Sequence, residues 1–303
     1  MSYVLTIGCL AVVALLCTLA EAFAPARRAE RIGDPVNLPI WAASFALTPA
    51  LLTCTAPLVA LAVGTAGGGL IVLPTRGWGL VASVAIYFVT MDLGEYLFHR
   101  AQHKIPMLWK MHSLHHSDRE YHFTTAARHF WLDPLVKSLT IWLVVPLLFK
   151  VPPAVIAIYA TVSLYHYLVH ANVRLDFGRF SWMLNAPAYH RIHHSAAAED
   201  DGCNYASLFP IFDVLTGSYR RPVAGHVPET GLDTGRGPLT FREAMVWPLI
   251  VDKVADQPGS GSAQSIGGKP LDSRKALAFE KWWQPKKPLC ADKGEGWGAF
   301  STR

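Results

Sequence analysis

Charge is scarce in this chain: of 303 residues, 16% are Asp, Glu, Lys or Arg, against roughly 25% in soluble domains. The shortage is uneven, because residues 1–98 carry nine charged side chains and no histidine at all. Cysteine is equally sparse. Five scattered residues (Cys9, Cys17, Cys54, Cys203, Cys290) without a CxxC exclude a disulfide scaffold and an iron–sulfur site. No GxGxxG motif opens a nucleotide site, and the zinc-protease HExxH is absent. A net charge of +5 is too small to argue for nucleic acid, and it fits an anionic membrane surface equally well.

What is present is apolar. With 51% hydrophobic residues and a mean hydropathy of +0.25, the chain cannot be disordered or collagen-like. Val4–Ala20 and Ile40–Val63 are charge-free runs of about bilayer-crossing length. The first lacks a basic segment before its apolar stretch, so a spanning helix is expected there rather than a signal peptide. The glycine cluster at 64–69 ends the second run, and Gly77–Phe98 supplies a third that carries Asp92 and Glu95. Pro134–Phe149 and Pro153–Val169 are parted only by Lys150, Val151 and Pro152, which predicts a helical hairpin with both ends on one side. Arg27, Arg28 and Arg31 follow the first run, whereas the loop after the second has only Arg76. The positive-inside rule therefore predicts a multi-pass protein whose residues after the third run, and whose C-terminus, face the cytoplasm.

Twelve of the thirteen histidines lie between His99 and His194. They form four groups: HRAQH (99–103), HSLHH (112–116), HYLVH (166–170) and HRIHH (190–194). Offsets of three and four residues place side chains on one helix face, so each group can present its imidazoles to one point. Neutral imidazole suits iron, zinc and copper, and ten ligands exceed what one ion accepts, so two metal ions fit the number. No Glu-x-x-His pair of the carboxylate-bridged type is present. Heme ligation by His166 and His170 is excluded, since adjacent turns of one helix cannot reach opposite faces of a heme. His122, His129 and His226 stand alone and read as polar residues satisfied locally.

The ordered set HxxxH, HxxHH, HxxxH, HxxHH after apolar helices resembles the integral-membrane fatty acid hydroxylase and sterol desaturase superfamily. DLGEYLFHRAQH, HHSDREYHFTTAAR, NAPAYHRIHHS and NYASLFPIFDVLTGSY are similar to its segments, over roughly residues 85–221. The HHSDREYHFTTAAR stretch also resembles the alkylglycerol monooxygenase branch. The resemblance implies an all-α membrane protein with a non-heme di-iron centre at the cytoplasmic face. Such a centre would use dioxygen to hydroxylate or desaturate a C–H bond of a lipid. It further implies the ligands His99, His103, His112, His115, His116, His166, His170, His190, His193 and His194. Relatives carry a histidine two residues after the arginine of a TALR-like stretch; here His129 follows Arg128 directly, and it is left out of the ligand set.

Three regions are expected: membrane-anchor helices over 1–84, the histidine domain over 85–221, and a polar, partly disordered tail over 222–303 with a linker-like run at 255–268 before Trp282 and Trp283. Asp92 and Glu95 are the expected acceptors for N–H groups of ligand histidines. Asp118, Asn172, Asp176 and Asn204 are weaker candidates for the same task. Tyr96, Phe98, Trp109, Tyr165 and Tyr167 are the expected cavity lining. Electrons must come from a separate donor, and zinc is expected to replace iron on overexpression. A dinuclear-metal lipid hydrolase, or a metal-binding membrane protein without turnover, are the rival readings.

Overall fold

A computed structural model describes residues 3–28 and 33–255. The linker-like run after Ala255, Trp282 and Trp283 lie outside the described residues. Among those described, twelve α-helices run in the order α1 Tyr3–Phe23, α2 Asn37–Thr65, α3 Gly77–Lys104, α4 Pro106–His116, α5 Asp133–Ser138, α6 Ile141–Leu148, α7 Pro153–Val162, α8 Tyr165–Val169, α9 Pro187–His193, α10 Ile211–Thr216, α11 Phe241–Met245 and α12 Trp247–Ala255. Two short strands, β1 Ile71–Val72 and β2 Phe149–Lys150, pair in parallel with Ile71 opposite Phe149. They are a minor exception to the expected all-helical class.

Helices α2 and α3, of 29 and 28 residues, are long and apolar enough to cross a bilayer. Along α2 only Asn37, Ile40 and Thr55 are buried, so its apolar side chains face outward along most of its length. A helix that is apolar on every side and not covered by protein has the character of a membrane span. The core lies on α3, where Tyr87, Met91 and Phe98 pack against Ile141, Val145 and Val155. Gly94 permits this approach, since a Cβ there would meet Ile141 Cγ2 at 2.9 Å.

The predicted hairpin differs from expectation in being broken. Its first limb is α5 and α6, separated at Thr140, whose φ of −117° and ψ of −92° leave the helical region. Its second limb is α7 and α8, stepped at Ser163 and Leu164. Thr140 and Ser163 hydroxyls bond the carbonyls of Val136 and Tyr159, a side-chain competition that bends helices. The longest unbroken piece has 10 residues, about 15 Å, against roughly 30 Å of hydrocarbon.

Of the segment after Pro222, expected to be polar and partly disordered, the first part is built into the fold. Trp247 is buried beside Met111 and Leu114 of α4, and its Nε1 donates to Ser113 Oγ at 2.9 Å. Trp131 Nε1 donates to the Met245 carbonyl, and Lys110 pairs with Asp252. Trp247→Ala is therefore expected to cost about 3–5 kcal/mol, the range for removing a buried large aromatic side chain. Thermal unfolding in detergent measures it, and an unchanged midpoint would show that α12 does not stabilise the domain.

Candidate metal centre

Each histidine group sits where a helix ends. His99 and His103 occupy the last turns of α3, His112, His115 and His116 the end of α4, and His190 and His193 the end of α9, with His194 as its C-cap. His170 caps α8. Prolines set two of these helices. Ile105 and Ala186 are extended, with Pro106 and Pro187 at the first helical positions, as expected of a residue that precedes proline and of proline at a helix start. The break at Ile105 folds α4 back onto α3 and brings HSLHH against HRAQH.

Nine of the ten expected ligands converge in two sets. His99, His103, His112, His116 and His193 have ligand atoms all within 4.8 Å of one another, and so do His115, His170, His190 and His194. The tenth, His166, lies at the edge of the second set, its ring centroid 4.4 Å from that of His170. His129, left out of the ligand set, is at the site: its ring stacks on His115 at 4.4 Å and 15°, and its Nδ1 is 3.3 Å from Asp133. The available signal was the i,i+4 pairing of His129 with Asp133 beside the displaced TALR-like arginine. His122 instead caps the short 3-10 helix Phe123–Ala127 and contacts Glu21. His226 is exposed.

Three imidazoles are oriented by backbone carbonyls. Nδ1–H of His99 donates to Tyr205 O at 2.7 Å, that of His193 to Cys203 O at 2.8 Å, and that of His170 to His166 O at 2.8 Å. This fixes the tautomer and leaves Nε2 with a free lone pair. The Nε2 atoms of His103, His116 and His193 are buried without a hydrogen-bond partner, while those of His99 and His112 approach to 3.0 Å and those of His170 and His190 to 3.0 Å. Converging lone pairs without donors are what metal ions would satisfy, so these residues fit such a group. Burial holds the rings neutral. It pushes His193 down to about 4 and His170 to about 3, partly offset by their carbonyl hydrogen bonds. His112, His115, His116, His190 and His194 are also well below the ordinary range, through burial first and neighbouring imidazoles second.

The carbonyls come from a braced loop. Asp213 accepts from the N–H groups of Tyr205 and Ala206, from Ser218 Oγ and from Tyr189 Oη. Asn204, at φ +59°, donates to the Tyr189 and Arg220 carbonyls. Asp92 does not meet an imidazole; its oxygens accept from Leu208 and Phe209 N–H at 2.8 Å each. Glu95 pairs instead with Lys137 Nζ at 2.7 Å. Asp118 accepts from Asn37 and Thr125, and Asn172 holds the Arg27 backbone and Arg191.

Buried Arg128 closes the other side. It donates to Leu114 O and Ser117 Oγ, which flank His115 and His116, and to Asp34 and Asn37 at the start of α2. A cavity of about 270 Å³ reaches His99, His112, His115 and His190 from between α3 and α7, with Phe88, Trp142 and Tyr159 on its walls. Of the expected aromatic lining, Tyr165 lines this cavity and Tyr167 a neighbouring one of about 260 Å³. Tyr96 packs on Tyr205 and Phe212, Trp109 on His103 and His116, and Phe98 in the α3 core.

Residues 84–218, which hold every one of these histidine groups, match the fatty acid hydroxylase family. The chain is 32% identical over 133 residues to alkylglycerol monooxygenase of Xenopus tropicalis, covering 44% of this chain and 29% of that protein. It is 27% identical over 195 residues to the ornithine lipid hydroxylase OlsE of Rhizobium tropici, covering 64% and 56%. With a Delta(7)-sterol 5(6)-desaturase of Gibberella zeae it shares 28% over 149 residues, covering 48% and 45%. The aligned region thus spans less than a third of the alkylglycerol monooxygenase and about half of the other two. No solved structure matches the chain. The histidine-bearing region of this chain is the part that matches the fatty acid hydroxylase family and is similar to lipid hydroxylases and a sterol desaturase.

Proposed function

We propose that the chain is a membrane-bound, dioxygen-dependent oxidoreductase that hydroxylates or desaturates a C–H bond of a lipid at a non-heme di-iron centre. The observation that carries this reading is the convergence of nine neutral imidazoles in sets of five and four beside a cavity with aromatic walls. His99, His103, His112, His116 and His193 would hold one iron, and His115, His170, His190 and His194 the other, with His166 beside the second. The iron pair, when bound, supplies the redox and dioxygen chemistry that no side chain can. The protein's own part is positional. Tyr205 O, Cys203 O and His166 O hold the imidazole rings in one tautomer, and Phe88, Trp142 and Tyr159 keep water from the substrate chain. Electrons come from a separate donor, since no nucleotide or iron–sulfur motif is present in the sequence. The arginines that follow α1 support a cytoplasmic orientation for the histidine domain and the C-terminus.

Anaerobic loading with iron is expected to give about two ions per chain, and elemental analysis near one would refute the dinuclear assignment. Zinc competes for the same imidazoles, so metal identity is read from activity. Oxygen uptake with a lipid and a reductant separates this reading from a dinuclear hydrolase, which releases product without consuming oxygen.

Single substitutions test the ligand sets. His115→Ala and His193→Ala are expected to lower metal content and abolish turnover, because each removes one member of a convergent set. His226→Ala, on an exposed residue, should change neither. Equal loss in all three would show that the histidines act on folding rather than on metal.

The metal-free protein carries its own pH signature. An unfolded chain takes up protons on histidine near pH 6.5, whereas the folded chain resists until about pH 4 at His193 and about 3 at His170. The unfolded state then binds more protons in that window, so stability is full above about pH 6.5 and falls as pH drops toward 3. Unfolding midpoints of chelator-treated protein between pH 8 and 4 check this, and a flat profile would contradict neutral burial.

A further inference from the structure

Glu95 and Lys137 both line the cavity that reaches the histidines. Their mutual bond at 2.7 Å is the one hydrogen bond that either side chain makes among the described residues, and both are largely buried, at 16% and 27% exposure. Asp92 lines the same cavity, but both of its oxygens are taken by the N–H groups of Leu208 and Phe209. It is explained by the loop that it holds. Among the described residues, Glu95 on α3 and Lys137 on α5 bond only each other, with Lys137 Nζ 5.8 Å from the centre of the Phe98 ring. An ion pair in apolar surroundings adds little net stability, and well-packed apolar residues often replace one without loss. Charged residues within an apolar helix such as α3 mark function by default. Lys137 retains two N–H donors and Glu95 a carboxylate oxygen, within one helical turn of His99.

We propose that the Glu95–Lys137 pair is the head-group subsite of the lipid cavity, and that it selects a neutral hydroxyl-bearing head over an anionic one. A hydroxyl both donates and accepts, so it can give its proton to Glu95 and receive one of Lys137's. The pair is neutral as a unit, and Asp92 lies in the same cavity. An anionic head has no proton to give Glu95, and it would face the carboxylates of Glu95 and Asp92 across the same cavity. The pair sits one turn before His99, so the head group is anchored close to the metal centre and the alkyl chain runs on past Phe88 and Tyr159. This assignment rests on the lipid-oxidation reading of the cavity.

Equilibrium binding of radiolabelled hexadecane-1,2-diol to the full-length, iron-loaded protein in detergent tests it, with hexadecanoate as competitor. The diol is expected to bind at least about tenfold more tightly than the carboxylate, the equivalent of one or two hydrogen bonds. The double variant Glu95→Leu/Lys137→Met should lose about tenfold in diol affinity while keeping its metal content. Equal or tighter binding of hexadecanoate by the unsubstituted protein overturns the proposal, and that comparison needs no variant to fold. Unchanged diol affinity in a metal-replete double variant overturns it as well. Binding is measured without turnover, so diol that binds as expected but draws no oxygen uptake would sink the oxidase reading and leave the head-group assignment standing.

Discussion

Burying nine imidazoles against one another is the constraint from which the rest of this structure follows. Each ring must be neutral to be buried, and each buried nitrogen needs either a partner or an ion. Proline starts to α4 and α9 aim two histidine groups at the end of α3, where the first HxxxH lies. The α8 C-cap adds the remaining group. Because Arg128 ties Leu114 and Ser117 to Asp34 and Asn37, the end of α4 cannot drift from the start of α2. The apolar helix α2 and the histidine-bearing region are thereby one mechanical unit.

Carbonyls rather than carboxylates orient the rings, and there is a physical reason for the choice. A carboxylate next to an imidazole favours the imidazolium, whereas a carbonyl accepts the Nδ1 proton without adding charge to a low-dielectric site. The charge is moved one step outward instead. Asp213 fixes the N–H groups of Tyr205 and Ala206, and Asp92 those of Leu208 and Phe209. Both acids therefore act on the loop whose carbonyls meet His99 and His193. The segment NYASLFPIFDVLTGSY carries no metal-binding residue in this arrangement; its work is to hold that loop.

Helical spacing made most of the site legible in the sequence. HxxxH and HxxHH are local patterns, and local patterns survive folding when the helix forms, so nine of ten expected ligands meet. The partners of Asp92 and Glu95 were not legible. Spacing along α3 says that Glu95 shares a face with His99, but it cannot say that Lys137 and residues 208–209, far away in sequence, arrive first. His129 was passed over for a similar reason. It belongs to no histidine group in the sequence, its pairing with Asp133 was the one local signal, and the fold of the stretch after α4 is what stacks it on His115.

The broken hairpin was hidden by its own composition, and the break has a use. An apolar run reads equally well as one helix or as two, and here the backbone leaves the helical region at Thr140. A straight α5–α6 limb would carry Trp142 and Lys137 on one continuous rod. Splitting it at Thr140 lets α6 pack on α3 at Gly94 through Ile141, while α5 keeps Lys137 against Glu95. The space left between α3 and the two limbs is the cavity that ends at the histidines. Lys137 before the step and Trp142 after it both line that cavity, so the irregularity that defeats a sequence reading shapes the opening toward the histidines.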